Sequence, residues 1–207
     1  MITVAIARGR LLDEEVSLLT NAGYPVNNIL KDSRKLIFEY PDVKMKILII
    51  RPTDIPPYVE YGAADVGIVG MDTLMEERHD LYEPLDLGIG KCKLVVAAPK
   101  GYEYSSTKSL RVATKYPKVA QEHFSGKGVS AEVVKLYGSV ELAPIVGLSD
   151  VIVDLSATGE TLRKNNLVEF ETIADITAHL VVNRVSMKVK AGEIKELINK
   201  LKDVRIN

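Results

Sequence analysis

Short apolar runs alternate with segments of helical periodicity along almost the whole chain, and this alternation limits the folds that it can adopt. Ile2–Ala7 begins the pattern as a strand, and Lys188–Leu201 ends it with apolar residues spaced for one helical face. Strands and helices in repeated order are typical of α/β domains with mostly parallel sheets. The sequence therefore predicts an α/β chain whose ligands bind beyond the carboxyl ends of the strands.

The order of these elements also predicts two lobes with a ligand cleft between them, because the alternating pattern occurs twice. The first crossing is expected around Gly88–Gly90, and the return crossing is expected within residues 169–183. We predict that lobe I comprises residues 1–90 and 180–207, and that lobe II comprises residues 91–179. A length of 207 residues allows each lobe a core of its own.

Composition and charge exclude several classes of protein. The net charge of -1 gives the chain no overall attraction to nucleic acid or to a membrane surface. No apolar run approaches the roughly 18 residues of a membrane span, and the N-terminus does not have the pattern of a signal peptide. The single cysteine, Cys92, excludes an internal disulfide and fits a reducing compartment. We therefore expect a cytoplasmic protein with neither a membrane nor a nucleic-acid partner.

The most informative segment is the loop Asp154–Leu162, which follows the apolar strand Val151–Leu155 and precedes a helical pattern. Gly159 lets the backbone approach an anion closely, and backbone amides at the start of the helix can point at phosphate oxygens. Additional hydroxyl donors come from Ser156, Thr158 and Thr161. The pattern predicts a phosphate-binding loop. An ordinary turn capped by Ser156 or Thr158 explains the same residues equally well.

Asp154 favours the phosphate site over the ordinary turn. A carboxylate at the end of a strand can accept hydrogen bonds from the vicinal hydroxyls of a sugar. The sequence contains no Gly-x-x-x-x-Gly-Lys-Ser/Thr loop and no Gly-x-Gly-x-x-Gly after its first strand, so these nucleotide-binding motifs are excluded. We therefore predict that the loop binds a sugar phosphate.

Two blocks of sequence resemble the ATP phosphoribosyltransferase family, whose reaction is the first step of histidine biosynthesis. Glu141–Leu162, which contains the loop, resembles the signature of that family, and Arg51–Asp72 resembles its central motif. Gly9–Leu11 is similar to its first loop, and the resemblance extends along nearly the whole chain. The resemblance implies two α/β lobes like those of a periplasmic binding protein, with the active site between them.

The resemblance also implies which residues bind the donor, phosphoribosyl pyrophosphate. Asp154 and Glu141 would face the ribose hydroxyls, although Glu141 on its own is explained more simply as a solvated helix residue. The 5-phosphate would be held by Ser156, Ala157, Thr158, Gly159, Glu160 and Thr161.

Arginines are the expected partners of pyrophosphate and of the ATP phosphates, because a planar guanidinium binds phosphate oxygens in pairs. The candidates next to predicted strands are Arg8, Arg10, Arg34 and Arg51. Each alone is more often a surface charge, and position at a strand end favours Arg10 and Arg51 most. The family often has lysine in place of Arg8, so the geometry there can differ.

Gly67, Gly70 and Asp72 follow or end a buried strand and are expected to line the nucleotide side. Capping of the next helix explains Asp72 equally well. Arg51, together with Asp154 and Glu141, is predicted to act on the reacting groups.

The implied reaction is attack by adenine N1 of ATP on the anomeric carbon of the ribose, with pyrophosphate as leaving group. N1 already carries a lone pair, so alignment and charge stabilisation suffice without a strong general base. Mg²⁺ is expected to arrive bound to the substrate, bridging pyrophosphate and ribose oxygens. His79, His123 and His179 lack the spacing of metal ligands, and no metal site is expected from the protein alone.

The chain ends at Asn207, directly after the terminal helix, so the resemblance is to the short form of the family. That form works with a separate regulatory subunit similar to histidyl-tRNA synthetase, and we expect a homodimer within such a hetero-oligomer. The alternatives are a solute-binding protein, the effector lobe of a transcription factor, and a phosphoribosyltransferase for another base. The missing signal peptide argues against the first, and the missing basic helix-turn-helix argues against the second.

Overall fold

The computed structural model of the chain describes residues 1–31, 34–103 and 109–206. It divides into two compact units: unit 1 comprises Met1–Gly90 and Thr177–Asn207, and unit 2 comprises Lys91–Ile176. Residues 177–179, which the sequence had assigned to lobe II, lie in unit 1. They do so because Ala178 begins a strand of the unit 1 sheet.

The strands are short in both units. In chain order they are β1 Ile2–Ala7, β2 Ile37–Tyr40, β3 Met45–Ile50, β4 Val66–Gly70, β5 Tyr82–Asp86, β6 Cys92–Pro99, β7 Leu110–Thr114, β8 Ala131–Lys135, β9 Val151–Ser156, β10 Leu167–Ile176 and β11 Ala178–Val182.

The α-helices connect these strands, and short 3₁₀ turns cover Asn27–Lys31, Pro41–Val43 and Pro52–Asp54. In chain order the helices are α1 Leu12–Asn21, α2 Ile55–Glu60, α3 Met71–Glu77, α4 Pro117–Gly126, α5 Leu142–Ile145, α6 Glu160–Lys164, α7 Ser186–Val189 and α8 Ala191–Ile206. Within the described ranges, none of these helices is long and apolar enough to cross a membrane.

The unit 1 sheet has the strand order β2-β3-β1-β4-β11-β5. β1 lies at its centre and pairs in parallel with β3 and with β4. Val4, Ala5 and Ile6 of β1 are completely buried, because helices cover both faces of the sheet. This explains why the strand reads as an uninterrupted apolar run in the sequence.

The unit 2 sheet has the order β10-β6-β9-β7-β8, in which β7 pairs in parallel with β8 and β9. β6 runs antiparallel to both β9 and β10. The α/β class is confirmed, but both sheets are mixed instead of mostly parallel. The difference arises because strands that run in the opposite direction join each parallel set: β2 beside β3 and β11 beside β4 in unit 1, and β6 beside β9 in unit 2.

A buried carboxylate, Asp65, ties the start of β4 to its neighbours in unit 1. Its oxygens accept hydrogen bonds from the Thr3 amide at 2.8 Å, from Ser186 Oγ at 2.6 Å and from Lys190 Nζ at 2.7 Å. Burial by itself raises the pKa of Asp65, but the hydrogen bonds from Lys190, Ser186 and Thr3 outweigh it and lower that pKa below its ordinary value. The ionised carboxylate therefore stabilises the folded chain.

The lowered pKa predicts how stability depends on pH. A carboxyl group whose pKa is lower in the folded state contributes stability above its unfolded pKa of about 3.9, and this contribution is lost as pH falls through the folded pKa. Asp65→Asn leaves the Lys190 ammonium without its carboxylate, so we expect the free energy of unfolding at pH 7 to fall by about 2 kcal/mol. Urea unfolding between pH 3 and 7 measures both effects.

The matched control is Asp42→Asn, which removes an exposed carboxylate from the same unit. We expect this variant to unfold like the unmodified chain at every pH. The free energy of unfolding of the unmodified chain should fall more between pH 7 and pH 3 than that of Asp65→Asn. An equal fall in both proteins would contradict this interpretation of Asp65.

Candidate active site

The predicted phosphate loop joins β9 to α6 in unit 2. Ser156 ends the strand and is 6% exposed, whereas Ala157 and Thr158 are exposed. Gly159 directly precedes the helix and has a φ of 68°, in the left-handed region that favours glycine. The order of strand, small-residue turn and helix is therefore present. Because α6 contains only 5 residues, its aligned peptide dipoles add little positive potential at the loop.

The hydroxyl groups of this loop make contacts within the protein. Ser156 Oγ donates a hydrogen bond to Oε1 of Glu169, on β10, at 2.5 Å. Thr158 Oγ1 accepts a long bond of 3.4 Å from the Glu160 amide, which is a weak form of the capping that the sequence offered as the alternative. Ser156, which was expected to donate to phosphate, thus directs its proton to a carboxylate.

The two carboxylates predicted for the ribose also lie in unit 2. Asp154 is half-buried near the carboxyl end of β9, and its Oδ1 accepts a hydrogen bond from the Leu155 amide at 2.9 Å. Glu141 is half-buried directly before α5, where it makes no side-chain capping bond to the helix. Both residues are partly accessible.

In unit 1 the predicted arginines follow the carboxyl ends of paired strands. The parallel register sets Ala7 opposite Ile50, so the residues after them, Arg8 and Arg51, leave the sheet at the same edge. The Arg8 amide donates to the Ile50 carbonyl at 2.7 Å, which fixes this arrangement. Arg34 precedes β2, whose start also lies at this edge because β2 runs antiparallel to β3. The structure therefore places Arg8, Arg34 and Arg51 beyond one edge of one sheet.

A buried carboxyl group on α1 holds the end of β1 beneath these arginines. Glu15 is 0% exposed, and its Oε2 accepts a hydrogen bond from the Ala7 amide at 2.8 Å. Burial raises the pKa of Glu15 well above its ordinary range, and the bond from Ala7 lowers it only in part. Nothing in the sequence pattern separated Glu15 from its exposed neighbours, because a helix of mixed polarity gives no sign of which carboxylate is buried.

Arg10 lies after the same strand but contacts Gly90, the last residue before the chain first leaves unit 1. One of its guanidinium nitrogens, Nη2, lies 3.5 Å from the Gly90 carbonyl oxygen, while Glu14 accepts a hydrogen bond from the Gly90 amide at 2.8 Å. Gly90 has a φ of 66°, and a side chain there would collide with Leu11. Arg10 is thus engaged with the chain where it leaves unit 1.

Gly67 was expected to line the nucleotide side, but its surroundings give it a packing role. A Cβ atom at this position would lie 2.5 Å from a methyl group of Ile55 and 2.9 Å from one of Val59, both on α2. The glycine therefore allows α2 to approach β4 closely, and no ligand contact is needed to explain it.

Gly70 and Asp72 lie where β4 ends and α3 begins. A Cβ atom at Gly70 would lie 2.1 Å from Oδ1 of Asp72, so the aspartate side chain folds back over this glycine. Asp72 lies in the first turn of α3, and Gly70, the residue at the start of the helix, makes no side-chain capping bond. This position is compatible with both interpretations that the sequence allowed.

The histidines contact polar side chains at separate places. His79 Nδ1 lies 2.6 Å from a Glu60 oxygen, His123 Nε2 lies 3.3 Å from a Glu171 oxygen, and His179 lies 3.4 Å from the Thr177 hydroxyl. Among the residues that the structure describes, no three or more histidine, cysteine or acidic side chains form a group that could hold a metal ion.

Comparison with known proteins identifies the family. The family model for ATP phosphoribosyltransferase matches residues 51–203. ATP phosphoribosyltransferase 2 of Geobacter sulfurreducens is 55% identical over 204 residues, which cover 97% of this chain and 96% of the relative. The chain belongs to the ATP phosphoribosyltransferase family. Its assignment from the two sequence blocks is therefore confirmed.

Other relatives and solved structures agree with this family. The ATP phosphoribosyltransferase of Halothermothrix orenii is 50% identical, covering 98% of this chain and 94% of the relative. A chain of the ATP phosphoribosyl transferase (HisG:HisZ) complex from Thermotoga maritima has a TM-score of 0.86 at 36% identity, covering 99% of this chain and 98% of that chain.

A more distant likeness concerns the fold alone. The periplasmic aliphatic sulphonate binding protein SsuA from Escherichia coli has a TM-score of 0.63 at 11% identity, covering 99% of this chain and 72% of that chain. The likeness to periplasmic binding proteins that the family resemblance implied is therefore confirmed at the level of the fold.

Sequence reasoning missed two residues that contact the phosphate loop. Glu169 accepts a hydrogen bond from the Ser156 hydroxyl, and Arg163 Nη1 donates to the Thr158 carbonyl at 2.9 Å. The spacing of Arg163, one helical turn after Gly159, was a signal that could have identified it. Glu169 had no such signal, because it reaches the loop from another strand.

The packing role of Gly67 generates a prediction that separates it from nucleotide binding. Gly67→Ala forces α2 away from β4, so we expect the free energy of unfolding to fall by about 1–3 kcal/mol. Because the added methyl group faces helix α2, the KM for ATP of the folded fraction should not change. Thermal unfolding and steady-state kinetics measure the two effects.

Gly192→Ala, in α8, is the control for adding a methyl group, since a Cβ atom there would meet nothing within 4 Å. We expect this variant to unfold like the unmodified chain or slightly later. A stable Gly67→Ala variant with a raised KM for ATP would contradict the packing role.

Proposed function

We propose that this chain transfers phosphoribosyl from phosphoribosyl pyrophosphate to N1 of ATP. In the reaction, the bond from N1 to the anomeric carbon forms as the bond from that carbon to pyrophosphate breaks, with no proton transfer required before attack. The observation that carries the proposal is the family block Glu141–Leu162 folded as strand, glycine turn and helix, with Asp154 at the strand end.

Unit 2 is assigned the donor. The loop Ala157 to Thr161 is exposed or half-buried and would offer backbone amides to the 5-phosphate, with the Glu160 amide exchanging its long bond to Thr158 Oγ1 for the ligand. Asp154 and Glu141 are partly accessible carboxylates that can accept hydrogen bonds from ribose hydroxyls. Holding the ribose by these groups aligns the anomeric carbon for displacement, which is the largest contribution a protein can make without a general base.

Unit 1 is assigned the acceptor phosphates and the pyrophosphate leaving group. Arg8, Arg34 and Arg51 are exposed beyond one sheet edge, where their charges add together. Guanidinium groups bind phosphate oxygens in pairs and stabilise the charge that develops as pyrophosphate departs. Arg51 is the strongest candidate, because it directly follows a buried strand that holds its backbone in place.

Mg²⁺ is proposed as part of the substrate. It prefers several water molecules and phosphate oxygens as ligands, and phosphoribosyl pyrophosphate supplies the latter. Asp154 lies where it can accept hydrogen bonds from the sugar hydroxyls that share this ion. The metal would neutralise charge on the leaving group while the arginines orient it.

The proposed assembly is a homodimer within a hetero-oligomer that contains a regulatory subunit similar to histidyl-tRNA synthetase. Support comes from the Thermotoga maritima chain, which is similar over its whole length and is described as part of a HisG:HisZ complex. We also propose a cytoplasmic location, consistent with a single buried cysteine, Cys92. Size-exclusion chromatography with the candidate partner tests the assembly, and failure to co-elute would contradict it.

The fold alone also suits a solute-binding protein, since fold does not determine function. Two results distinguish the candidates: a transferase forms phosphoribosyl-ATP and releases pyrophosphate, whereas a binding protein leaves its ligand unchanged. A panel of adenine, guanine, uracil and ATP as acceptors separates this activity from transfer to another base.

Substitution of Arg51 tests the charge stabilisation directly. Arg51→Ala removes a guanidinium from the proposed leaving-group site, so we expect kcat/KM to fall by about 100-fold, equivalent to about 2.7 kcal/mol of transition-state stabilisation. Arg51→Lys should recover only part of this loss, because lysine keeps the charge but not the planar fork. The assay follows phosphoribosyl-ATP formation by absorbance, with pyrophosphatase present.

Arg184→Ala is the matched control, because it removes an exposed guanidinium of unit 1 whose ion pair with Asp80 is also exposed. We expect it to retain full activity. Equal activity of Arg51→Ala and Arg184→Ala would contradict the proposed role of Arg51.

A further inference from the structure

We propose that Arg163 binds the 5-phosphate and supplies the positive charge that the predicted phosphate contacts lack. The inference rests on the proposed function, since it takes the loop between β9 and α6 as the phosphate site. The first observation is the net charge of the loop. Residues 156–161 contain no cation and include the carboxylate of Glu160, while Asp154 and Glu169 add two more carboxylates nearby.

A phosphate dianion in such surroundings requires a compensating charge. Like charges a few ångströms apart repel one another, and the repulsion is stronger where water is excluded. The short helix α6 offers little help, because its 5 residues align few peptide dipoles. A cation close to the loop is therefore needed for tight binding.

Arg163 is placed to provide that cation. Its Nη1 donates to the Thr158 carbonyl at 2.9 Å, and a Cβ atom at Gly159 would lie 3.0 Å from the same nitrogen. The guanidinium therefore lies against the backbone of the loop, over the glycine that was expected to approach phosphate. The bond to Thr158 uses one N–H of the five that an arginine carries, and the planar fork is suited to paired phosphate oxygens.

Glu169 increases the need for the positive charge of Arg163 in phosphate binding. A Cβ atom at Gly159 would lie 3.3 Å from Oε1 of Glu169. The same oxygen accepts a hydrogen bond from the Ser156 hydroxyl. Opposite charges thus both lie close to Gly159. An entering phosphate meets repulsion from Glu169 and competes with it for the Ser156 hydroxyl, so the attraction of Arg163 must offset that repulsion.

The neighbouring cation provides a matched comparison. Lys164 Nζ lies 2.7 Å from Oε1 of Glu160 in an ion pair whose side chains are 73% and 62% exposed. Arg163 and Lys164 are consecutive and carry the same charge, but the geometry places only Arg163 against the loop backbone. Substituting each in turn separates a specific contact from the general charge of the helix.

Isothermal titration of the full chain with ribose 5-phosphate and with phosphoribosyl pyrophosphate tests the inference. We expect Arg163→Ala to raise the Kd for both ligands about 10-fold, as for loss of a hydrogen-bonded charged group. Arg163→Lys should lie between Arg163→Ala and the unmodified chain, and Lys164→Ala should leave both Kd values unchanged. Adding Glu169→Gln to Arg163→Ala should recover part of the affinity, because it removes the opposing charge.

The outcomes distinguish this inference from the proposed function. If the unmodified chain binds phosphoribosyl pyrophosphate and Arg163→Ala binds it equally well, the inference is wrong while the proposed function stands. If Lys164→Ala weakens binding as much as Arg163→Ala, the effect is one of general charge and the inference is also wrong. If the unmodified chain binds neither ligand, the proposed function itself fails. Thermal unfolding of each variant, with Arg163→Gln as a milder change, confirms that the loss is in binding and not in folding.

Discussion

Parallel pairing at the centre of each sheet is the constraint on which the rest of this structure depends. In unit 1, β1 is almost completely buried and pairs in parallel with β3 and β4, so the carboxyl ends of all three strands lie at the same edge. Parallel strands require helices as connections, and these helices cover the faces of the sheet. Polar residues that directly follow the strands are then left exposed at one edge, which is how residues distant in sequence, such as Arg8 and Arg51, come to lie together.

Unit 2 shows how a binding loop depends on residues beyond its own motif. The motif supplies a glycine in the left-handed region and accessible amides, but it supplies no positive charge. The contact of Ser156 with Glu169 fixes the end of β9, and the contact of Arg163 with the Thr158 carbonyl fixes the turn. We propose that the affinity of the loop for phosphate depends on the balance of these opposite charges on α6 and β10. Such a balance makes binding sensitive to substitutions outside the recognised motif.

The sequence predicted the features that follow from local pattern. It did not predict features that depend on contacts between residues distant in sequence. Val66–Gly70 was recognisable as a strand because burial on both faces requires a continuous apolar run. The turn at Gly159 was recognisable because glycine and hydroxyl residues separate an apolar strand from a helical pattern. The mixed strand direction of the sheets was not recognisable from the sequence, because it depends on where β10 and β11 return. The close packing of Gly67 was not predictable for the same reason, because Ile55 approaches it from another element.

The central claim is that the loop after β9 binds the 5-phosphate of the donor. A crystal structure of the chain with phosphoribosyl pyrophosphate and Mg²⁺ tests it most directly. The account predicts electron density for the 5-phosphate within hydrogen-bonding distance of the amides of Ala157 to Thr161, with the ribose hydroxyls facing Asp154. A well-ordered donor whose 5-phosphate lies on other residues, with this loop unchanged, would contradict the account.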